Sequence, residues 1–189
     1  MFFVFSNSFR DDLMKVLSQK DPTRGLVGLQ KRGDFKKHLP EVEALVGLEQ
    51  LSTQKWDAWV HTLHVIKALP VDMPLLRLAG LLHDIGKAET VNDGFMGHAW
   101  VGARMAGKVL VRLGFGDEEV NAVVPLIECH DLGYDKDWDD DMVQQAVDAL
   151  GGIDNLDALV LFRMADAEGH GTKIESFMYS FVAPDSVVS

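Results

Sequence analysis

The stretch Leu81-Leu82-His83-Asp84-Ile85-Gly86-Lys87 decides how the rest of the chain is read. An apolar run, Leu75-Leu76-Arg77-Leu78-Ala79-Gly80-Leu81-Leu82, delivers an imidazole and a carboxylate side by side, and a glycine and a lysine follow. Charged side chains are seldom buried unless paired or metal-bound, so two metal-type ligands at the end of an apolar helix are an unusual combination. The dipeptide alone carries little weight. His-Asp occurs twice, at 83–84 and 130–131, which is near the chance frequency for a chain with 7 His. Context and spacing must carry the reading.

The flanks read as helices. Upstream, Trp56, Trp59, Val60, Leu63, Ile66 and Lys67 follow the 3.6-residue period over 54–69, and Pro70 ends that helix. His61 and His64 stand three apart on one flank of it. Pro74 opens the helix that carries the His-Asp pair, and Gly86 suits a helix end or a close backbone approach. Downstream, 88–96 is expected as a loop with Asn92-Asp93-Gly94 as its turn. Gly97-His98 begins a long helix to about Leu113, with His98, Val101, Gly102, Met105, Val109 and Leu113 on one face. Its small residues Ala99, Gly102, Ala103, Ala106 and Gly107 admit a close neighbour. Asp117-Glu118-Glu119 is an acidic helix start, and that helix, with a kink expected at Pro125, leads into Cys129-His130-Asp131.

Farther out the pattern continues. Asp135, Asp137, Asp139, Asp140 and Asp141 form a solvated acidic loop without the glycine and closing glutamate of a calcium loop. Helices follow at 142–150 and 153–168, the second carrying Asp166, and a short one at 173–180. In the first 50 residues, Asp21-Pro22, Gly33 and Pro40 punctuate short helices. No segment alternates with period two, so the expected class is all-α, with roughly eight to ten helices. The expected organisation is a helical segment over 1–50 packed on a main domain over 51–180, with a loose tail at 181–189.

Composition narrows the function. The chain has 189 residues, 47% hydrophobic and 25% charged, and no apolar run long enough to span a bilayer. No membrane partner is expected. The apolar start Phe2–Phe5 lacks the basic residues and length of a signal peptide, and the single cysteine, Cys129, excludes an internal disulfide. A reducing cytoplasm fits these features. The net charge of −11 is uneven, since 1–40 is basic and the remainder strongly acidic. An acidic body repels nucleic-acid backbone at long range, whereas a small phosphorylated ligand is easier to accommodate beside bound cations. Lys31, Arg32, Lys36 and Lys37 either contact phosphates, those of tRNA or another RNA included, or form a solvated basic face. Oligomeric state is open, with Phe2–Phe5 a candidate interface.

His61, His83, Asp84, His98, His130, Asp131 and Asp166 make a constellation. They stand at helix ends or on inward faces among apolar residues, the way bundles build metal sites. Imidazole and carboxylate without thiolate suit Mn, Fe, Co, Ni or Zn and exclude the thiol-rich structural zinc pattern.

This order, a histidine, then His83-Asp84-Ile85-Gly86-Lys87, then further histidines and a distant aspartate, resembles the HD phosphohydrolase superfamily. More of the chain resembles the HD domain and preceding segment of bacterial CCA-adding tRNA nucleotidyltransferases. Arg10-Asp11-Asp12-Leu13, Asp21-Pro22-Thr23-Arg24-Gly25-Leu26, Leu39-Pro40-Glu41, Leu45-Val46-Gly47, Trp59-Val60-His61-Thr62-Leu63, Glu128-Cys129-His130-Asp131-Leu132 and Ala165-Asp166-Ala167-Glu168-Gly169 carry that likeness. The Gly-Ser strand and Asp-x-Asp metal motif of the nucleotidyltransferase part are not found, so the chain is expected not to add CCA and to stand as the phosphohydrolase part alone.

The resemblance implies an HD helical bundle and metal-dependent hydrolysis of small nucleotide phosphoesters, of the 2',3'-cyclic phosphodiesterase, 2'-nucleotidase or phosphatase type. It implies one or two divalent ions (Mn, Ni, Co, Mg, Fe or Zn). His61, His83, Asp84 and Asp166 would hold one ion. In a two-ion version Asp84 bridges, and His98 and His130 hold the second. Asp131 is a ligand or a partner orienting a histidine, and Lys87 meets a substrate phosphate oxygen. His64 and His170 are candidate pocket residues for proton donation to the leaving group. The alternatives are a deoxynucleotide phosphatase or triphosphohydrolase, an HD-type oxygenase with an iron pair, and a non-catalytic tRNA- or partner-binding module with a structural metal.

Overall fold

In the computed structural model, which describes residues 8–50, 55–132 and 140–170, every regular element is helical. The expectations for Phe2–Phe5, Asp135, Asp137, Asp139, the helix at 173–180 and the tail lie outside the described residues. Eleven α-helical segments occur among the described residues. They are α1 Ser8–Leu17, α2 Thr23–Lys31, α3 Asp34–His38, α4 Pro40–Glu43, α5 Ala58–Ala68, α6 Pro74–Leu82, α7 Lys87–Thr90, α8 His98–Leu113, α9 Asp117–Cys129, α10 Asp140–Ala149 and α11 Leu156–Gly169. None of them is long and apolar enough to cross a membrane.

Helix α6 is the axis of the bundle. Seven of its residues, Leu76 to Leu82, are buried, and it packs against α5, α9, α1 and α11. A helix apolar on all sides is stable only when neighbours cover it all round. The other long pairs are α8 on α9 and α5 on α11. Their arrangement brings the ends of five helices to one place, where the histidines lie.

A guanidinium sits inside this core. Arg77, 2% exposed, donates to Leu69 O (3.1 and 2.9 Å), Leu17 O (2.8 Å) and Gln19 O (2.6 Å). These carbonyls close the ends of α5 and α1, where helix dipoles point their negative ends, so one guanidinium satisfies two sets of unpaired acceptors. Arg77→Met is expected to destabilise the fold by about 2–4 kcal/mol, since buried carbonyls lose their donors. A fall in the urea midpoint with an unchanged slope is the check.

The hydrophobic core is continuous across residue 50: Leu13, Leu17, Leu26, Phe35 and Leu45 belong to the same cluster as Trp59, Ile66 and Leu78. Arg10 with Glu119 and Arg112 with Glu41 add ion pairs between the first helices and α8–α9, each at 2.8 Å.

Four expectations need correction. Helix α5 starts at Ala58, not 54, because the Asp57 carboxylate caps it by accepting from Val60 N at 2.7 Å. The stretch 88–96 is not all loop, since α7 and a 3-10 turn Val91–Asp93 occupy most of it. The buried side of α8 follows the small residues Ala99, Gly102, Ala103 and Ala106, with Val109 and Leu110, while Val101, Met105 and Leu113 are only half-buried. Small side chains are buried there because the neighbouring backbone comes closer than larger ones allow. Finally, the helix expected from 153 begins as a 3-10 turn, Ile153–Asn155, before α11.

Candidate metal centre

Helix ends place the ligands. His61 lies on the inner face of α5, and His83 and Asp84 continue α6 by a helical turn. His98 is the first residue of α8, His130 follows α9 directly, and Asp166 stands in the last turn of α11. All six are buried, Asp84 and His83 completely. Two close approaches of glycine backbone assemble them. A Cβ on Gly86 would overlap the carbonyl oxygen of His98 and stand 2.6 Å from Gly102 N, so the turn after Asp84 can rest on α8 only without a side chain. At Gly169 a Cβ would come within 3.0 Å of the His61 ring, which lets the end of α11 close over α5.

Asp84 is at the centre. Its Oδ2 faces His83 Nε2 (3.3 Å) and His61 Nε2 (3.7 Å), and its Oδ1 faces His98 Nε2 (3.4 Å) and His130 Nε2 (4.0 Å). Asp166 Oδ1 completes the first set, 2.9 Å from His61 Nε2 and 3.5 Å from His83 Nε2. One carboxylate thus stands between two histidine pairs.

The histidine tautomers say what belongs there. His83, His98 and His130 each direct Nδ1 at the backbone carbonyl three residues earlier, Gly80 O (2.9 Å), Phe95 O (3.0 Å) and Ile127 O (2.6 Å). A carbonyl only accepts, so Nδ1 carries the hydrogen and Nε2 presents a lone pair inward. His98 Nε2 and His130 Nε2 are 3.2 Å apart, as are His61 Nε2 and His83 Nε2. Converging lone pairs repel unless a proton or a cation lies between them. Asp84 Oδ1 is buried without a hydrogen-bond donor. A divalent cation answers both features, and the donor set of imidazole nitrogens and carboxylate oxygens is the one such ions take.

Electrostatics separates the two pairs. Burial opposes charge on His83, but the Asp84 and Asp166 carboxylates outweigh it and hold its pKa above the usual histidine value. Burial, helped by His83 and His98, pushes His130 down to about 3, and burial also lowers His98. Burial opposes ionisation of Asp84 as well, yet His83, Lys87 and His61 overcome it and keep the carboxyl well below its ordinary range. In the metal-free protein, then, the two carboxylates favour a proton on His83, whereas burial disfavours one on His98 and His130. An ion entering beside His83 competes with that proton, so its affinity falls as pH is lowered, while the second pair has no such proton to lose. Calorimetric titrations in two buffers of different ionisation enthalpy check this. Equal heats in both would count against the assignment.

A cleft of about 250 Å³ opens on the cluster, lined by Asp84, Asp166, His98 and His130 and also by Lys87, Asp131 and His170. Lys87 is buried and donates to Asp84 Oδ2 (2.8 Å) and Gln50 Oε1 (2.6 Å). Asp131 is half exposed, with Oδ2 3.9 Å from His98 Nδ1, too far for a hydrogen bond, and burial raises its pKa. It lines the wall without orienting that ring, whose Nδ1 is fixed by Phe95 O.

Two sequence assignments change. His64 is exposed and stacks on Trp56 with centroids 5.0 Å apart, outside the residues that line the cleft. The α5 residue one turn from a buried histidine has rotated to the surface. His170 does line the cleft, stacked on His61 at 4.1 Å with Nε2 3.6 Å from Asp166 Oδ1. Burial lowers its pKa to about 4, so the neutral ring is a candidate ligand of the His61–Asp166 set rather than a charged proton donor. Two residues went unnoticed in the sequence. Gln50 holds Lys87 and carries no motif. Phe95 holds His98 by its carbonyl, and its only signal is the pair of glycines around it, Gly94 and Gly97. The basic residues Lys31, Arg32, Lys36 and Lys37 are exposed, and Arg32 pairs with Asp34 at 2.8 Å.

Comparison with known proteins decides the family. The family model described as HD domain matches residues 30–167. The chain belongs to the HD domain family. This HD domain is also 36% identical over 133 residues to a CC-adding tRNA nucleotidyltransferase of Thermus thermophilus, covering 64% of the chain and 30% of that relative. To an A-adding tRNA nucleotidyltransferase of Deinococcus radiodurans it is 32% identical over 132 residues, with the same coverage. A multifunctional CCA protein of Neisseria meningitidis is 36% identical over 110 residues, 54% of the chain and 26% of that protein. The chain spans about 30% of the length of the first two.

Proposed function

We propose that this HD domain hydrolyses phosphoesters of small nucleotides, 2',3'-cyclic and 2'-phosphates foremost, with one or two divalent ions held by the cluster. The observation that supports this most is Asp84, one oxygen on each histidine pair, beneath an open cleft. His61, His83, Asp84 and Asp166 are the donors for one ion, and Asp84, His98 and His130 for a second. A divalent ion supplies positive charge to phosphate oxygens and brings the pKa of bound water toward neutrality.

The remaining work falls to the chain's own side chains. Lys87 has three N–H donors; Asp84 and Gln50 take two, and the third is available to a phosphate oxygen. Buried Phe162 packs against the rings of His83 (5.7 Å between centroids) and His130 (6.0 Å), an apolar wall that strengthens the electrostatics of the cluster. Asp131, at the half-exposed rim of the cleft, is the carboxyl placed to exchange a proton with a leaving group.

The experiment is a single panel. The purified protein is stripped, reloaded in turn with Mn, Ni, Co, Mg, Fe and Zn, and assayed on 2',3'-cyclic AMP, 2'-AMP, 3'-AMP and 5'-deoxynucleotides. Turnover of the first two with at least one ion is expected, and no turnover with any ion sinks the reading. Lys87→Met should raise KM about tenfold, the effect of one lost charge-assisted hydrogen bond. A change confined to kcat would argue against a phosphate contact.

A further inference from the structure

The loop between α7 and α8 holds an aromatic residue in a backbone conformation that aromatic residues avoid. Phe95 has φ 66°, and no other non-glycine residue among the described ones has a positive φ. Bulky side chains in this region are strained by roughly 1–2 kcal/mol and persist where something else requires them. One requirement is the carbonyl on His98 Nδ1 at 3.0 Å; the Phe95 N–H is likewise tied to Thr90 O at 2.9 Å. Neither bond needs a side chain. A glycine, such as Gly94 (φ 64°) or Gly97 (φ 73°) on either side, would make both with less strain.

The ring is therefore not explained by the fold. Phe95 belongs neither to the hydrophobic core nor to the partly buried residues packed on it, and it stacks on no other ring among the described residues. It lines the cleft together with Asp84, Lys87 and His130, and beside it Met96, 80% exposed, lines the same cleft.

We propose that Phe95, assisted by Met96, is the specificity-determining residue of this cleft, a platform on which the base of a nucleoside phosphate stacks while the phosphate meets Lys87 and the Asp84 cluster. The inference rests on the phosphohydrolase reading and narrows it to phosphates that carry a planar aromatic group near phosphorus, nucleotides rather than sugar or glycerol phosphates. An aromatic face and a thioether grip any base without reading its edge, so the cleft separates base from no base and hardly distinguishes the four bases.

Two variants test it. Phe95→Gly keeps the left-handed backbone and the carbonyl on His98 while removing the ring; Phe95→Tyr keeps a ring. The readout is kcat and KM for 2'-AMP and for β-glycerophosphate with the most active ion, together with the melting temperature. Phe95→Gly should lower the preference for 2'-AMP, as the ratio of the two kcat/KM values, about tenfold through KM, and Phe95→Tyr should restore it. Equal losses on both substrates, or a lowered melting temperature that accounts for the loss, overturn the platform. If no ion supports turnover, 2'-AMP is not consumed and its binding is titrated by calorimetry. Binding weakened about tenfold in Phe95→Gly then upholds the platform while the hydrolytic reading fails, and unchanged binding rejects the platform.

Discussion

Asparagine at position 84 is expected to abolish hydrolysis, by at least about 10³-fold in kcat/KM, while leaving the metal-free fold as stable as before. The side chain keeps its shape, and one amide oxygen can still accept from Lys87, now 2.8 Å from Oδ2. What changes is charge and polarity at the other position. Oδ1, buried without a donor and 3.4 Å from His98 Nε2, becomes an NH2 group facing a lone pair, a hydrogen bond in place of a mismatch. Gain of that bond offsets the loss of the Lys87 ion pair. An ion, by contrast, loses the carboxylate that the two histidine pairs share, which leaves Asp166 alone on the first pair and no buried carboxylate on the second. Melting in the presence of saturating metal checks both halves. Wild type should gain about 2.7 kcal/mol at an ion concentration near 100 times Kd, and Asp84→Asn little or nothing. A variant that melted with the wild-type increment would show that Asp84 does not hold the ion. Asp84→Ala is the poorer test, because it also strips a buried lysine of its carboxylate.

The sequence made the ligands readable because they are placed by helix ends. The proline that opens α6, the apolar run through it, and the glycine before α8 mark where His83, Asp84 and His98 fall along the chain, and inward periodicity identifies the helices that carry His61 and Asp166. Periodicity assigns a face, but with an error of about one helical step, which is enough to turn His64 outward and to exchange Val101 and Met105 for Ala99 and Ala103 on the buried side of α8. Tertiary partners were out of reach in principle. Gln50 reaches Lys87 across 37 residues, and Arg77 reaches Leu17 across 60, and neither spacing reflects any local rule. Phe95 shows a third kind of failure. Its role depends on φ, which no pattern of apolar residues encodes.

The largest structural effect is expected from one added methyl. Gly86→Ala should lower stability by about 3 kcal/mol or more, which is roughly 6–12 °C in melting temperature for a chain of this size, and weaken metal affinity more than tenfold. The reason is not conformational freedom, since φ at Gly86 is −69° and any residue adopts it. The new Cβ would overlap His98 O and stand 2.6 Å from Gly102 N, and both are backbone atoms that no rotamer change can move aside. The turn holding His83-Asp84 must lift from the first turn of α8, and that separation is what sets the distance between Asp84 Oδ1 and His98 Nε2. Stability and metal binding therefore fall together from a single contact. Gly107→Ala is the control on the same helix. There a Cβ meets only Val124 Cγ2 at 3.9 Å, ordinary contact, so alanine should raise stability by about 0.5–1 kcal/mol through helix propensity and leave the metal untouched. A Gly86→Ala protein that melted within 2 °C of wild type, a change below about 1 kcal/mol, would mean that α8 is not seated on that turn and that the histidine pairs are brought together by some other contact.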